Sequence, residues 1–148
     1  MVEFVWHDGE KPDNLPITQV YGVLFDDGGR ILLKLDDGIY GLIGGKPERG
    51  ETREETLHRE VYEEVNCEIS DLHYLGYQTV LGDGAPYAQL RYIAKVTKMG
   101  PNRPDLDNGK TYERIYAAPD EAIKLLNYTS GDEIIDSAVK LAKQKKLF

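Results

Sequence analysis

Apolar residues in this chain come in short runs separated by clusters of Asp, Gly and Pro, and the spacing within each run separates strands from helices. Residues 1–16 are polar and punctuated by Pro, with Phe4, Val5 and Trp6 as the only apolar cluster, which predicts an arm packed on the domain. Residues 17–25 (ITQVYGVLF) are rich in β-branched and aromatic side chains and read as a strand. The turn signal Asp26-Asp27-Gly28-Gly29 follows, and residues 30–35 pair back as a second strand. After the turn Asp36-Asp37-Gly38, a short strand over 39–43 delivers the chain into Gly44-Gly45.

The period then changes. Residues 53–65 are mostly good helix formers, and Leu57, Val61 and Val65 recur at helical spacing, so one narrow stripe docks on a core and fixes the rotation of the helix. At about 100° per residue, Glu60 and Glu64 stand one above the other with Glu63 beside them, all bordering that stripe. Residues 68–81 and 87–98 read as two long strands joined across 82–86; Leu90, Tyr92, Ala94 and Val96 alternate with Gln89, Arg91 and Lys95. The breaker-rich loop 100–109 is of a size that often borders a pocket. A last strand over 110–117 puts Thr111, Glu113 and Ile115 on one face and Tyr112, Arg114 and Tyr116 on the other. Pro119-Asp120-Glu121 opens a helix, and a final helix from 131 or 132 to about 145 carries Ile134, Ile135, Ala138, Leu141 and Ala142 on one side. Strands on both sides of a central helix, with two more helices at the end, predict an α/β/α sandwich with a mixed sheet, in one domain over 1–148.

Composition narrows the class without changing this picture. A hydrophobic share of 41% and a charged share of 30% in 148 residues fit a soluble globular domain. No apolar run approaches the roughly 20 residues of a membrane span. The N-terminus MVEFVWHDGE has acids where a signal peptide has bases, so the expected location is the cytoplasm with no membrane partner. Cys67 is the sole cysteine, and His7, His58 and His73 are scattered, which leaves no zinc spacing. A formal net charge of -8 repels nucleic acids.

The three helix carboxylates admit two readings. Like charges at that spacing cost a few tenths of a kcal/mol per pair, so they form either a solvated face or the seat of a hard divalent cation, which favours carboxylate oxygens. A bound cation would also turn an acidic pocket into a local positive field for phosphates.

The order of residues around the helix resembles the signature of the Nudix hydrolase family: Gly, five residues, Glu, seven residues, Arg-Glu, an aliphatic, any residue, Glu-Glu, any residue, Gly, an aliphatic. Gly45, Glu51, Arg59, Glu60, Val61, Glu63 and Glu64 fall in register. Asn66 stands where the family has Gly and Cys67 where it has an aliphatic; Asn is the next-best residue for a left-handed helix terminus. Ile43 replaces the Pro that many members carry before Gly44-Gly45. The resemblance implies the family's fold and a Mg²⁺-dependent (or Mn²⁺-dependent) hydrolase that cleaves the diphosphate of a nucleoside diphosphate linked to another group. It implies Glu60, Glu63, Glu64 and the Gly44 carbonyl as metal ligands, and Arg59 with Glu51 as the salt bridge holding loop to helix in the catalytic apparatus. The base is Glu60 or an acid outside the motif, for which Glu113 is the candidate, as base or further ligand. Lys46, Arg49 and Arg91 are the cations to touch phosphates, and Tyr21, Tyr87 and Tyr112 could stack on a base. A nucleotide-binding sensor without turnover is the alternative, although such a protein would be expected to lose one of the carboxylates. The partner expected is a small nucleotide-type molecule; the identity of the leaving group and a homodimer both stay open.

Overall fold

The computed structural model describes residues 1–127 and 130–148. Eight strands form one sheet: β1 (Glu3–Asp8), β2 (Ile17–Phe25), β3 (Ile31–Asp36), β4 (Ile39–Gly41), β5 (Ile43–Gly45), β6 (Cys67–Leu81), β7 (Tyr87–Met99) and β8 (Glu113–Ala117). The helices are α1 (Arg53–Val65), α2 (Pro119–Leu126) and α3 (Gly131–Gln144). The sheet runs β1-β6-β7-β2-β3-β4, with β5 against β2 and β8 against β3. It is mixed because β2 and β7 pair in parallel while the other neighbours are antiparallel.

Alternation along β2 and β3 divides the core into two layers. Val20, Leu24 and Leu32 face Leu57, Val61 and Val65 of α1, whereas Val23, Phe25, Ile31 and Leu33 face Ala122 and Leu126 of α2 and Ile134, Ile135, Ala138 and Ala142 of α3. The helices therefore cover both faces, in the α/β/α arrangement that the periodicity predicts.

Three segments differ from the sequence expectation, one of them 110–112, expected in the last strand but lying outside β8. Residues 3–8, expected as an arm packed on the domain, are an edge strand: β1 pairs antiparallel with β6 from Glu3↔Leu81 to Asp8↔Gly76, so Phe4, Val5 and Trp6 lie in the sheet. So short a strand is stable only against a partner's unpaired edge, a long-range fact that local pattern does not carry. The strand expected over 39–43 is two short pieces, β4 against β3 and β5 against β2, so the chain changes neighbours at Leu42 just before the glycines.

Candidate active site

The loop 44–52 and helix α1 are built as one unit. Thr52 caps the helix: its hydroxyl accepts from the Glu55 N–H at 3.1 Å while the Glu55 carboxylate accepts from the Thr52 N–H at 2.8 Å, a reciprocal capping box. At the far end Asn66 adopts φ 50° and ψ 51°, the left-handed terminus expected from its place in the motif. The last turn of α1 has no basic residue of its own. Arg103 donates to the Tyr62 carbonyl at 2.6 Å and the Glu63 carbonyl at 3.3 Å, and Arg114 donates to the Val65 carbonyl at 3.1 Å. These two guanidiniums serve the last-turn carbonyls of Tyr62, Glu63 and Val65 and complement the helix dipole from outside.

Arg59 is the hub. It grips Glu51 bidentately, Nε to Oε2 at 2.6 Å and Nη2 to Oε1 at 3.1 Å, so loop and helix are joined as expected. Its Nη1 also donates to Glu60 at 2.9 Å and to Glu63 at 2.7 Å, and its Nη2 to the Lys46 carbonyl at 2.9 Å. The guanidinium holds the Glu51 carboxyl down at about 2, against some burial. Glu60 behaves oppositely: burial, with repulsion from Glu64 and Glu63, pushes it up to about 7 despite the pull of Arg59. Glu64 is buried, and burial raises it too, against the ion pair with the Lys34 ammonium and the Gly44 N–H that donates to it at 3.0 Å.

Lys34 is a member of the site that the motif does not include. It shares the face of β3 with Leu32, so strand alternation aims it at α1; a cation isolated among core leucines is the signal the sequence offers for it. It also lies 4.8 Å from the centroid of Tyr112. Asp105, buried in the 100–109 loop, likewise has no motif to mark it. Its charge adds to the upward push on Glu64, while among the described residues none from the 100–109 loop lines the cavity of Lys34 and Arg91.

The phosphate-cation candidates separate. Lys46 and Arg49 are exposed on the glycine loop, while Arg91 is 4% exposed, lies over the Tyr21 ring at 4.7 Å, and lines a cavity of about 330 Å³ that Lys34 also lines. Tyr112 is buried beneath Lys34 and Tyr87 opens β7. Glu113 is set apart. It is exposed and is the first residue of β8, not mid-strand, and the register Leu35↔Glu113 beside Lys34↔Arg114 puts it on the sheet face opposite α1. Among the described residues no three acidic, His or Cys side chains are already gathered as a ligand set, since Arg59 and Lys34 hold the oxygens that would form one. The donor set nevertheless fits a hard cation, which favours carboxylate oxygens such as those of Glu60, Glu63 and Glu64. These border a glycine loop where a Cβ on Gly45 would stand 2.6 Å from the Glu60 carboxylate. A Cβ on Gly44 would stand 2.1 Å from the Val20 carbonyl oxygen, a backbone atom, so β5 lies against β2 there as only glycine permits.

Comparison with known proteins agrees with this geometry. A family model described as the NUDIX domain matches residues 16–137. The NAD-capped RNA hydrolase NudC of Pseudomonas syringae pv. tomato is 38% identical over 77 residues, 45% of this chain and 28% of that protein. The mouse (Mus musculus) mitochondrial NAD(P)H pyrophosphatase NUDT13 is 41% identical over 59 residues, 37% of this chain and 17% of that protein. The matched stretch is thus under a third of either relative's length. Among solved structures, a mutant of the Bacillus subtilis pyrophosphohydrolase BsRppH superposes with a TM-score of 0.70 at 24% identity, over 97% of this chain and 90% of that one. The Ap4A hydrolase of C. elegans gives 0.62 at 16% identity, over 86% and 98%. At such identities the structural likeness speaks for the fold.

Proposed function

The chain belongs to the NUDIX domain family, whose members generally use divalent metals, and from that premise we propose that it is a Mg²⁺-dependent pyrophosphohydrolase of nucleotide derivatives, Mn²⁺ serving as a substitute. One observation carries the reading: Glu60, Glu63 and Glu64 border the Gly44-Gly45 loop and are tied to it by Arg59 and by the Gly44 N–H, beside a cavity that holds Lys34 and Arg91. The relatives' names, an NAD-capped RNA hydrolase and an NAD(P)H pyrophosphatase, both describe hydrolysis of nucleotide derivatives, the second at a pyrophosphate, which supports the same class here.

In this reading Glu60, Glu63, Glu64 and the Gly44 carbonyl would hold the metal, which when bound lowers the pKa of water and neutralises phosphate charge. Arg59 releases Glu60 and Glu63 but keeps Glu51, so the loop stays in place while two carboxylates become free. Lys34, relieved of Glu64, is at the right edge of the cavity to bind a phosphate oxygen. Lys46 and Arg49, exposed on the loop, draw the anionic substrate in. Glu60 or an acid outside the motif would take the proton of the attacking water; the value near 7 belongs to Glu60 in the metal-free protein and would fall on metal binding. Glu113 faces away from this cluster, and Asp105 is the acid outside the motif whose charge reaches Glu64.

The test is a substrate panel of ADP-ribose, dinucleotides, nucleotide sugars and nucleoside triphosphates with Mg²⁺ or Mn²⁺, products resolved by chromatography. Metal-dependent release of two phosphate-bearing products is the expected result. Binding of a nucleotide without turnover of any would overturn hydrolysis in favour of the sensor.

A further inference from the structure

We propose that the cavity lined by Arg91 is a second oxyanion subsite, which takes a phosphate or carboxylate group that the substrate carries away from its scissile diphosphate. The inference rests on the hydrolase reading above for the other half of the substrate. Arg91 sits in the middle of β7 and is 4% exposed, yet its Nε has no hydrogen-bond partner and no carboxylate pairs with it among the described residues. Its side chain makes one long bond, Nη1 to the carbonyl of its own neighbour Leu90 at 3.4 Å. The other inward-facing cations differ. Lys34 and Arg59 are held by carboxylates, and Arg103 and Arg114 by backbone carbonyls.

A guanidinium removed from water without an anion is costly, and a neutral hydrogen-bond acceptor offsets that cost less well than an oxyanion does. The surroundings leave the position for a ligand. Tyr21 covers the face of the guanidinium, so its in-plane edges are what the cavity sees. The nearby amides satisfy one another in a chain: Ser130 Oγ donates to Gln78 Oε1, Gln78 Nε2 to Gln89 Oε1 at 3.2 Å, and Gln89 Nε2 to Gln19 Oε1. None of them brings negative charge. Phe4 from the edge strand closes the side of the cavity.

Strand register gives the spacing of the backbones that carry the two subsites. Tyr21 pairs with Arg91 on one side and with Gly44 on the other. The Arg91 and Gly44 backbones therefore lie two strand spacings apart, about 10 Å. Gly44 is where Glu64 is held. Arg91 leaves β7 on the face away from α1, as its alternation with Leu90 and Tyr92 requires. Lys34, which lines the Arg91 cavity and pairs with Glu64, is the link, so that one ligand has its diphosphate at the glutamates and a separate anionic group at Arg91.

The experiment compares wild type and Arg91→Gln on two substrate pairs, each pair differing in one anionic group. NADPH against NADH tests a ribose phosphate, and UDP-glucuronate against UDP-glucose tests a carboxylate. Wild type is expected to favour the charged member of one pair by about tenfold or more in kcat/KM, the scale of a charge-assisted hydrogen bond, and Arg91→Gln to bring that ratio close to one. Hydrolysis without such a preference, or a preference that survives in Arg91→Gln, overturns the subsite. If Arg91→Gln does not fold, Arg91→Lys is read instead: it keeps the charge but not the fork, and the ratio should fall about threefold or more; an unchanged ratio overturns. If no member of either pair is cleaved, the hydrolase reading falls by itself, and calorimetry with inorganic phosphate on the metal-free protein decides the subsite. Binding about tenfold weaker in Arg91→Gln sustains it, and equal or absent binding in wild type overturns it.

Discussion

The two faces of the sheet solve the same packing problem with different materials. On one face α2 and α3 bury Ala122, Leu126, Ile134, Ile135, Ala138 and Ala142, an apolar interface with the Ser130–Gln78 hydrogen bond and Arg91 at its margin. On the other, α1 buries Leu57, Val61 and Val65 but also Thr56 and Glu64, so a carboxylate lies at the margin of the core. A helix with such a thin apolar stripe depends on its ends. The Thr52 capping box, the Asn66 terminus and the guanidiniums of Arg103 and Arg114 hold what burial alone would not. The α2/α3 face is packed mainly by apolar side chains, and the α1 face gives up packing to place carboxylates.

The sharpest way to break the comparison is Glu64→Gln, which keeps volume and removes charge. We expect the fold to persist and kcat to fall on the order of 10²–10³, the scale of losing several kcal/mol of charge stabilisation. An unchanged rate at saturating Mg²⁺ would remove Glu64 from the metal site. On the opposite face Ile135→Ala should do the reverse, costing about 2–5 kcal/mol in chemical denaturation while kcat below the melting point stays within about twofold. A large loss of kcat there would mean that the two faces are not separable.

The helix ends offer a finer cut. Asn66 holds φ 50°, which a β-branched side chain resists. Asn66→Val should therefore cost about 1 kcal/mol or more, whereas Asn66→Gly should be tolerated; equal melting temperatures for the two would contradict the terminus. Protons report on the site more gently. With Glu60 near 7 in the metal-free protein, Mg²⁺ binding at pH 6 should release about one proton, measured by calorimetry in buffers of different ionisation enthalpy. Zero release would show that Glu60 does not bind the metal. Glu51 titrates the other way. Its folded value of about 2 lies below the unfolded 4.5, so its pairing stabilises above pH 4.5 and is lost as pH falls toward 2. The melting-temperature gap between wild type and Glu51→Gln should therefore close over that window, and a gap independent of pH would contradict the pairing.

What the sequence made legible was local. The rotation of α1, its carboxylate edge and the positive φ at Asn66 all follow from residues within one turn of each other, and so they are readable without knowing any partner. Strand partners are not local. Lys34 is a member of the site because β3 happens to lie under α1, and Arg91 parts company with Lys46 and Arg49 because β7 lies beside β2 in the interior. Glu113 misleads for the same reason. Its alternation pattern is right, but the face it belongs to is set by pairing with Leu35, and the strand begins only at Glu113 because Asn108, Lys110 and Tyr112 are engaged in the preceding loop. The edge strand at Phe4, Val5 and Trp6 needs the unpaired side of β6 to exist at all.

The lone cysteine gives this chain a clock. Cys67 follows directly on Asn66, is 2% exposed with its Sγ against the Val65 carbonyl, and burial keeps its thiol protonated above the ordinary range. A thiol reagent can therefore reach it only when the junction between α1 and β6 comes apart. Labelling kinetics under native conditions would time the opening of helix α1 in the unmodified protein, without any engineered probe, and addition of Mg²⁺ should slow that clock if the carboxylates of α1 close around the ion.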